Sequence, residues 1–522
     1  MIYVTFTNLT KKNTILIMIG VMVSILLASL DSTIVTTAMP KIISSLQGFD
    51  YYTWPMIAYL LCITISMPLF GKLADMYGFK PVYIFGIVVF FVGSALCGIS
   101  QNMMQLIFFR GFQGIGGAIL ISNSLAIIGV LFAPAERAKY VGIASSAGAL
   151  ASIVGPSLGG FITDNFSWRW VFYVNVPIAI IALIIIILVL PSHKAEERKK
   201  VDYFGAVALI IALVPMLLAF TWAGKDYAWN SVQIVGMLIF SVVMLIVFAV
   251  IEMKVEDPII PMTLFKNSVF NFSAIEMFLI SAVMMGAAIF IPLFVQEVTG
   301  SSASKSGAIL TPMMLSLIVG AMVSGVLVSK TNKYKLQAII GFVIAVIGSV
   351  LLLNLKVDTS NSQIIIDMIV LGFGIGIVMP IFSVTAQSAF PESQIGVVTS
   401  ATQFFKSLGQ TIASSVLGTI MSTAVTNGLK DLDTTGLPAS ITSVLKNPNA
   451  LSGGGDSIKN LAAKLPKEML PRFMKLIDDI KGILSNSIHD VFIICVVMSI
   501  LALVIVLFMK EIPLSNTKNS AE

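Results

Sequence analysis

TILIMIGVMVSILLASLDSTIVTTAMP, residues 14–40, is an apolar run that contains one charged side chain, Asp31. A membrane-spanning helix needs about 20 consecutive, mostly apolar residues. A carboxylate at the centre of a bilayer costs about 2.5–3.5 kcal/mol on insertion scales, so such residues are rare and mark ion or substrate pathways. The run therefore predicts a transmembrane helix, and it makes Asp31 a candidate functional residue.

The whole chain has the composition of a membrane protein. Of its 522 residues, 57% are hydrophobic and 11% are charged, whereas an average soluble domain has about 25% charged residues. Its mean hydropathy is +0.96. The net charge of +6 comes from basic residues scattered through short loops, which argues against nucleic-acid binding. The three cysteines and two histidines have no metal-site spacing, so we expect no metal and no cofactor.

Apolar runs divide the chain into about fourteen predicted transmembrane helices. This pattern predicts an all-α, polytopic membrane protein. The predicted limits are 14–38, 51–70, 81–99, 103–132, 138–163, 168–190, 203–222, 231–251, 268–295, 303–329, 336–356, 362–390, 394–423 and 489–510.

The basic residues of the loops predict the orientation. With the N-terminus in the cytoplasm, most Lys and Arg of the short loops fall on the cytoplasmic side, as the positive-inside rule requires. An even number of helices then places the C-terminus in the cytoplasm as well. The segment 424–488 becomes a long extracellular loop. Its second half has apolar residues at helical spacing, which predicts one or two amphipathic helices lying on the outer face.

A weak internal repeat predicts the domain organisation. GKLADMYGFKP (71–81) and GVLVSKTNKYK (325–335) carry Gly, Leu and basic residues in comparable places. If residues 191–267 hold an inserted pair of helices, each copy follows the second helix of a six-helix half. We therefore predict six-helix bundles at 1–190 and 268–522.

Four stretches together resemble the motifs of one family: LDSTIVTTAMP (30–40), GKLADMYGFKP (71–81), RGFQGIGGA (110–118) and GALASIVGPSLGG (148–160). They resemble the signatures of the major facilitator superfamily and, within it, of the 14-spanning drug:proton antiporters. The resemblance covers the chain to about residue 423 and the last predicted helix. It implies the major facilitator fold with two extra helices, in a multidrug efflux transporter of a bacterial cell membrane.

The resemblance assigns coupling roles to charged residues of the predicted helices. It makes Asp31 the group that couples proton entry to substrate exit, and it places Arg110 in proton transfer or in a charge network. On the residues alone, intramembrane acids are functional by default, and the alternative for Asp31 is a structural carboxylate satisfied by neighbouring hydroxyls. The alternative for Arg110 is a partner for a carboxylate or for backbone carbonyls. Buried Lys406 either neutralises a carboxylate or makes a structural contact. The candidate coupling and substrate residues are Asp31, Arg110, Gln113 and Glu276.

The loop after the second predicted helix is a candidate conformational latch. Gly71 and Gly78 permit tight turning, Asp75 can accept N–H groups of a helix end or pair with a basic residue, and Lys80 lies at headgroup level. In the family this motif holds the two halves together in the outward-facing state. The alternative is a solvated connector.

Small residues in the fifth predicted helix form a candidate packing seam. They allow close approach of another helix, and the proline among them removes a backbone donor and bends the helix. In the family this pattern is the signature of exporters. The seam residues are Gly148, Gly155, Pro156, Gly159 and Gly160. SWRWVFYVNVP (167–177) is interpreted as structural, with its aromatic residues in an interfacial belt.

The expected function is proton-coupled export of amphipathic drugs or toxic compounds. The alternative is a dedicated exporter of one endogenous metabolite or lipid. No constellation of catalytic residues is present in the segment 424–488, so we do not expect an enzyme. The expected partners are amphipathic small molecules, protons and the lipid bilayer, and we expect a monomer.

Overall fold

The computed structural model describes residues 9–46, 51, 54–191, 202–224, 226–299, 303–331, 333–430, 432, 469–509 and 511. Within these residues, 14 helices are long and apolar enough to cross a membrane. The same residues form no β-strand, and one isolated bridge joins Ala223 to Tyr227. The predicted all-α, polytopic fold class is therefore confirmed.

We number the spanning helices in chain order. They are α1 (Lys11–Leu46), α2 (Trp54–Tyr77), α3 (Phe79–Ile99), α4 (Met103–Leu131), α5 (Pro134–Asn165), α6 (Trp170–Val189), α7 (Tyr203–Trp222), α8 (Val232–Glu252), α9 (Ser268–Leu293), α10 (Ala303–Thr331), α11 (Lys335–Leu351), α12 (Asn361–Ser388), α13 (Ile395–Lys430) and α14 (Leu470–Phe508).

Polar side chains mark the start of two helices that carry candidate residues. The Asn102 side chain accepts a hydrogen bond from the backbone N–H of Gln105 at 2.9 Å, before α4. Asn267 does the same for Val269 at 2.9 Å, before α9. Each side chain satisfies one of the free N–H groups that every helix N-terminus presents, so these two starting points are fixed locally.

The helices pack in two groups. Within α1–α6, α1 packs against α4, α5 and α6, and α2 packs against α4. Within α9–α14, α12 packs against α10 and α11, and α9 packs against α13 and α14. Contacts between α2 and α13 and between α5 and α10 join the groups. Helices α7 and α8 pack on each other, and α7 also contacts α2 and α13.

The segment 424–488 differs from its prediction. Helix α13 continues to Lys430 and α14 begins at Leu470, so the described parts of this segment are helical extensions of two spans. A cluster that includes Leu429 and Phe473 packs the two extensions together. The expected separate helices on the membrane surface are therefore wrong for residues 470–488. Residues 433–468 lie outside the described residues.

The length of α14 explains the difference. Its 39 residues extend about 58 Å at 1.5 Å per residue, whereas the hydrocarbon core is about 30 Å thick. The apolar spacing in residues 472–488 correctly predicts a helix. It does not indicate whether that helix ends before the next span or continues into it.

Candidate functional site

Three side chains converge on the carboxylate of Asp31 in the interior of the first helix group. Arg110 Nη1 in α4 donates to Asp31 Oδ2 at 2.5 Å. Gln113 Nε2 and Asn175 Nδ2 donate to Asp31 Oδ1 at 2.9 and 2.7 Å. All four side chains are at most 1% exposed. The charge of Asp31 is therefore paired and hydrogen-bonded away from solvent. We call these four residues the Asp31 cluster.

The guanidinium of Arg110 has further neighbours. It donates to Gln113 Oε1 at 2.8 Å and lies over the Tyr59 ring, 4.0 Å from its centroid. The Tyr59 hydroxyl in turn donates to the carbonyl of Ala28 at 3.2 Å. Arg110 Nε has no hydrogen-bond partner among the described residues. Removing one member of a buried ion pair leaves an uncompensated charge, so Asp31 and Arg110 depend on each other.

The neighbouring hydroxyls of α1 do not satisfy the Asp31 carboxylate, so this part of the structural alternative is wrong. The neighbouring hydroxyls donate to carbonyls of their own helix, as Ser32 does to Ser29 at 2.8 Å. The same holds for Thr33, Thr36 and Thr37. The structure brings Asp31, Arg110 and Gln113 together, and Arg110 pairs with a carboxylate, one of the options left open. Their role in coupling stays a prediction.

Asn175 is the site residue that the sequence analysis missed. It belongs to SWRWVFYVNVP, which we interpreted as structural, yet its amide also lies 3.1 Å from Ser94 Oγ. Ser94 donates onward to the Phe172 carbonyl at 2.9 Å. Trp168 in the same stretch is only 6% exposed, so it does not lie in an interfacial belt. A lone amide side chain at the start of an apolar span is the signal that would have indicated Asn175.

Glu276 lies apart from the Asp31 cluster, in α9 of the second helix group. Its side chain is 0% exposed, and neither carboxylate oxygen has a hydrogen-bond partner among the described residues. A buried carboxyl group without a partner is stable only with a proton or a bound cation. Glu276 therefore stays a candidate for proton or cation binding. Lys406 in α13 is half-buried and makes no ion pair with a described residue.

Asp75, at the end of α2, caps the N-terminus of α13. Its two carboxylate oxygens accept hydrogen bonds from the backbone N–H groups of Gly396 and Val397, each at 2.8 Å. A helix N-terminus presents free N–H groups and a partial positive charge, which a carboxylate satisfies. Of the two kinds of partner predicted for Asp75, the helix end is present. The contact joins the two helix groups.

Gly71 permits the same crossing of α2 and α13. A Cβ atom on Gly71 would lie 2.7 Å from the Gly396 carbonyl oxygen and 1.8 Å from Ser400 Oγ. Only a glycine fits at such a distance. We call the end of the molecule that holds Gly71, Asp75 and Gly396 the latch end.

The other two predicted latch residues have local roles: Gly78 lies between α2 and α3, and Lys80 lies in the first turn of α3. Gly78 has φ 91°, a left-handed conformation that favours glycine, and it separates α2 from α3. Lys80 Nζ donates to the Ile187 carbonyl at 2.7 Å, near the C-terminal end of α6. A cation is favourable at a helix C-terminus, so Lys80 ties α3 to α6 and not α2 to α13.

The predicted seam is a close contact between α5 and α1. A Cβ atom on Gly155 would lie 2.0 Å from Thr33 Oγ1, and one on Gly159 would lie 2.2 Å from Thr37 Oγ1. A Cβ on Gly148 would lie 3.2 Å from Ser29 Oγ, a tight but smaller approach. Pro156 is exposed, and Gly160 has no neighbour within 4 Å of an added Cβ. The contact therefore depends on Gly148, Gly155 and Gly159.

These distances predict a difference between adjacent glycines. Gly159→Ala should lower the thermal unfolding temperature, because overpacking a close contact costs about 1–3 kcal/mol. Gly160→Ala is the matched control and should leave that temperature unchanged or raise it slightly, because alanine is the better helix former. Thermal unfolding of the purified variants in detergent, followed by intrinsic fluorescence, is the measurement. Equal unfolding temperatures for the two variants would contradict the close contact.

The described residues form fourteen apolar helices, twelve of them in two packed groups of six, with a buried charge cluster and a capped contact between the groups. This arrangement defines an integral membrane protein of the transporter class. The family model of the Major Facilitator Superfamily matches residues 21–414. The chain belongs to this superfamily, and the predicted resemblance is confirmed.

Relatives and solved structures agree with this assignment. The chain is 39% identical over 524 residues to the multidrug transporter protein MdtP of Bacillus subtilis, covering 97% of this chain and 95% of the relative. It is 36% identical over 516 residues to multidrug resistance protein 3 of the same organism, covering 99% and 98%. The proton:xylose symporter XylE, at 13% identity, superposes with a TM-score of 0.61 over 96% of this chain and 97% of that one, which shows the shared fold.

Proposed function

We propose that the protein is a proton-coupled antiporter that exports amphipathic drugs or toxic compounds across the cytoplasmic membrane, as a monomer. The observation that carries the proposal is the buried pair of Asp31 and Arg110, in a chain 39% identical to a multidrug transporter. Among the described residues, Arg110 is the one charged hydrogen-bond partner of Asp31. A carboxylate inside a transporter can bind and release a proton without a cofactor.

The Asp31 cluster suggests how a proton changes the protein. When Asp31 is ionised, it neutralises Arg110 and accepts hydrogen bonds from Gln113 and Asn175. Protonation removes the negative charge, so Arg110 loses its counter-ion, and the contacts among α1, α4 and α6 change. A ligand or proton that favours one arrangement shifts the population of the two states. Each proton that enters the cell contributes about 2.3 kcal/mol per 100 mV of membrane potential.

The latch end supplies the second element of the mechanism. Asp75 and Gly71 hold α2 against α13, so this end of the molecule is closed. Hydrogen bonds to a charged group contribute about 1.5–3 kcal/mol each. Losing them when this end opens therefore changes the free-energy difference between two packed states. On the predicted orientation the latch end faces the cytoplasm, and the structure corresponds to an outward-facing state.

We further propose the domain organisation given by the sequence: bundles at 1–190 and 268–522, an inserted pair at 191–267, and both termini in the cytoplasm.

The orientation predicts that Ser452, outside the described residues, faces the medium. In a variant without the three native cysteines, Ser452→Cys should react with a membrane-impermeant thiol reagent in intact cells. Reaction only after the membrane is permeabilised would contradict the orientation.

Transport in proteoliposomes tests the proposed function. Purified protein should move ethidium, an aromatic cation, against its concentration gradient when a pH gradient is imposed, and this movement should stop when a protonophore removes the gradient. Uphill movement that persists with the protonophore would contradict proton coupling. Export of a single compound from a broad panel of dyes and antibiotics would favour the dedicated exporter.

A further inference from the structure

A cleft of about 860 Å³ lies between α2, α7 and α13, away from the Asp31 cluster. None of the four cluster residues lines it. The volume is within the range of about 300–1,000 Å³ that is typical of sites for drug-sized molecules. It occupies the half of the membrane opposite the latch end, because its lining begins at Thr64 and Ser407 and extends to Ser422 near the far end of α13.

The two walls of the cleft differ in chemistry. Helix α13 contributes a row of polar groups that follows the helical repeat, and Ser415 Oγ among them has no hydrogen-bond partner in the described part of the chain. The opposite wall, formed by α2 and α7, is largely apolar, and its polar groups are the hydroxyls of Thr64 and Thr221. The polar row is Ser407, Gln410, Thr411, Ser414, Ser415 and Ser422, and the apolar wall is Ile57, Leu60, Leu61, Leu217 and Phe220.

Helix α7 is held over the cleft by contacts at its mouth. Trp229 Nε1 donates to Thr419 Oγ1 at 3.0 Å, and Thr419 donates to the Ala223 carbonyl at 3.3 Å. Gly224 has φ 75°, which favours glycine, and it packs on the Thr419 side chain. The turn after α7 is therefore fixed to α13. Without α7 the gap between α2 and α13 would be open on that side.

The floor of the cleft is a contact between the two helix groups. The hydroxyls of Thr64 and Ser407 lie 2.6 Å apart, where α2 and α13 begin to diverge from the latch end. The same two helices meet at Gly71 and Gly396, so a rigid-body pivot about the contact of Thr64 and Ser407 that separates them at the latch end would bring them together at the cleft. The volume of the cleft thus depends on which end of the transporter is closed.

The charge at the mouth favours a cation. Of the described residues that line the cleft, Asp226 alone is charged, and it is exposed. Lys225 lies outside the described residues. Two aromatic rings lie at the mouth: Phe220 lines the cleft, and its ring centroid is 6.0 Å from that of Trp229, which donates to Thr419. Aromatic faces attract cations as well as apolar groups.

We propose that this cleft is a second ligand site, distinct from the Asp31 cluster, for organic monocations with an apolar body, and that α7 completes it. The apolar wall binds the body of the ligand, the hydroxyl row of α13 binds its polar groups, and Asp226 with the aromatic rings favours its positive charge. The proposal rests on the transport function proposed above. It concerns equilibrium binding, which requires no gradient.

Titration of ethidium fluorescence with the purified protein in lipid nanodiscs tests the proposal. Ser414→Trp fills the cleft and should raise the dissociation constant of ethidium about tenfold or more. A tenfold increase corresponds to a loss of about 1.4 kcal/mol of binding free energy. Asp226→Asn should weaken it about two- to fivefold, because an exposed charge contributes little. Val243→Trp, on the exposed face of α8, is the matched control and should bind as the wild type does.

A second measurement covers the case in which Ser414→Trp does not fold. In the variant without native cysteines, Ser414→Cys should react with N-ethylmaleimide, and ethidium should slow that reaction severalfold. No binding to the wild type, wild-type affinity in folded Ser414→Trp, or no protection of the cysteine would each overturn the proposal. Unchanged affinity in Asp226→Asn would overturn the preference for cations. No binding of ethidium to the wild type would contradict the proposed function as well. The other results can occur while uphill export by the wild type persists, so failure of this site is distinguishable from failure of the proposed function.

Discussion

Asp31→Asn is expected to abolish uphill, pH-driven efflux of ethidium in proteoliposomes. The asparagine keeps the size of the side chain and an oxygen for the amides of Gln113 and Asn175. It removes the one charge that neutralises Arg110, and it cannot bind or release a proton in the physiological range. Breaking a buried ion pair on one side costs about 3–5 kcal/mol, so the single variant should also unfold at a lower temperature.

A double variant separates coupling from stability. Asp31→Asn combined with Arg110→Gln leaves no unpaired charge in the cluster, so the thermal unfolding temperature should recover towards that of the wild type. Efflux should not recover, because the protonatable group is still absent. Asp31→Glu should retain part of the efflux, since the carboxylate survives at a shifted position. If the double variant still moves ethidium uphill under an imposed pH gradient, Asp31 is structural and Glu276 becomes the coupling candidate.

The sequence predicted those parts of the fold that depend on local composition. Apolar runs of membrane-spanning length identified the fourteen spanning helices that the described residues form, and the charge of Asp31 identified it as exceptional within α1. The partners of Asp31 were only partly predictable. Arg110 and Gln113 lie in a motif, but Asn175 is 144 positions from Asp31. Its lone amide at the start of an apolar span marks it as unusual, yet nothing in the sequence pairs it with Asp31.

Contacts that involve the backbone were not visible in the sequence. Asp75 was predicted to accept hydrogen bonds from the N–H groups of a helix end. Nothing in the residues around Gly396 indicates that this end is the start of α13. Every helix N-terminus presents the same groups. Which one meets Asp75 depends on how α2 crosses α13. The continuity of α14 is a similar case, because the helical repeat before residue 489 is the same for a separate helix and for an extension.

Gly71→Val should eliminate efflux by preventing closure of the latch end. A Cβ at this position would lie 2.5 Å from Ser400 Cβ and 2.7 Å from the Gly396 carbonyl oxygen. Real Cβ atoms do not approach backbone this closely, so α2 and α13 must separate. Asp75 lies one turn further along α2 and would then lose its hydrogen bonds to α13, which contribute about 1.5–3 kcal/mol each. The population should shift to the state that is open at the latch end.

Cysteine accessibility measures this shift directly. In the variant without native cysteines, Val397→Cys should react slowly with a water-soluble thiol reagent, because Val397 is 3% exposed. Adding Gly71→Val should accelerate the reaction at least about tenfold, which corresponds to a population change of about 1.4 kcal/mol. Gly236→Val is the matched control, since an added Cβ on Gly236 in α8 has no neighbour within 4 Å. It should preserve both efflux and slow labelling. Wild-type efflux together with slow labelling in Gly71→Val would mean that α2 and α13 do not need to close at this end during transport, and that the loop is only a solvated connector.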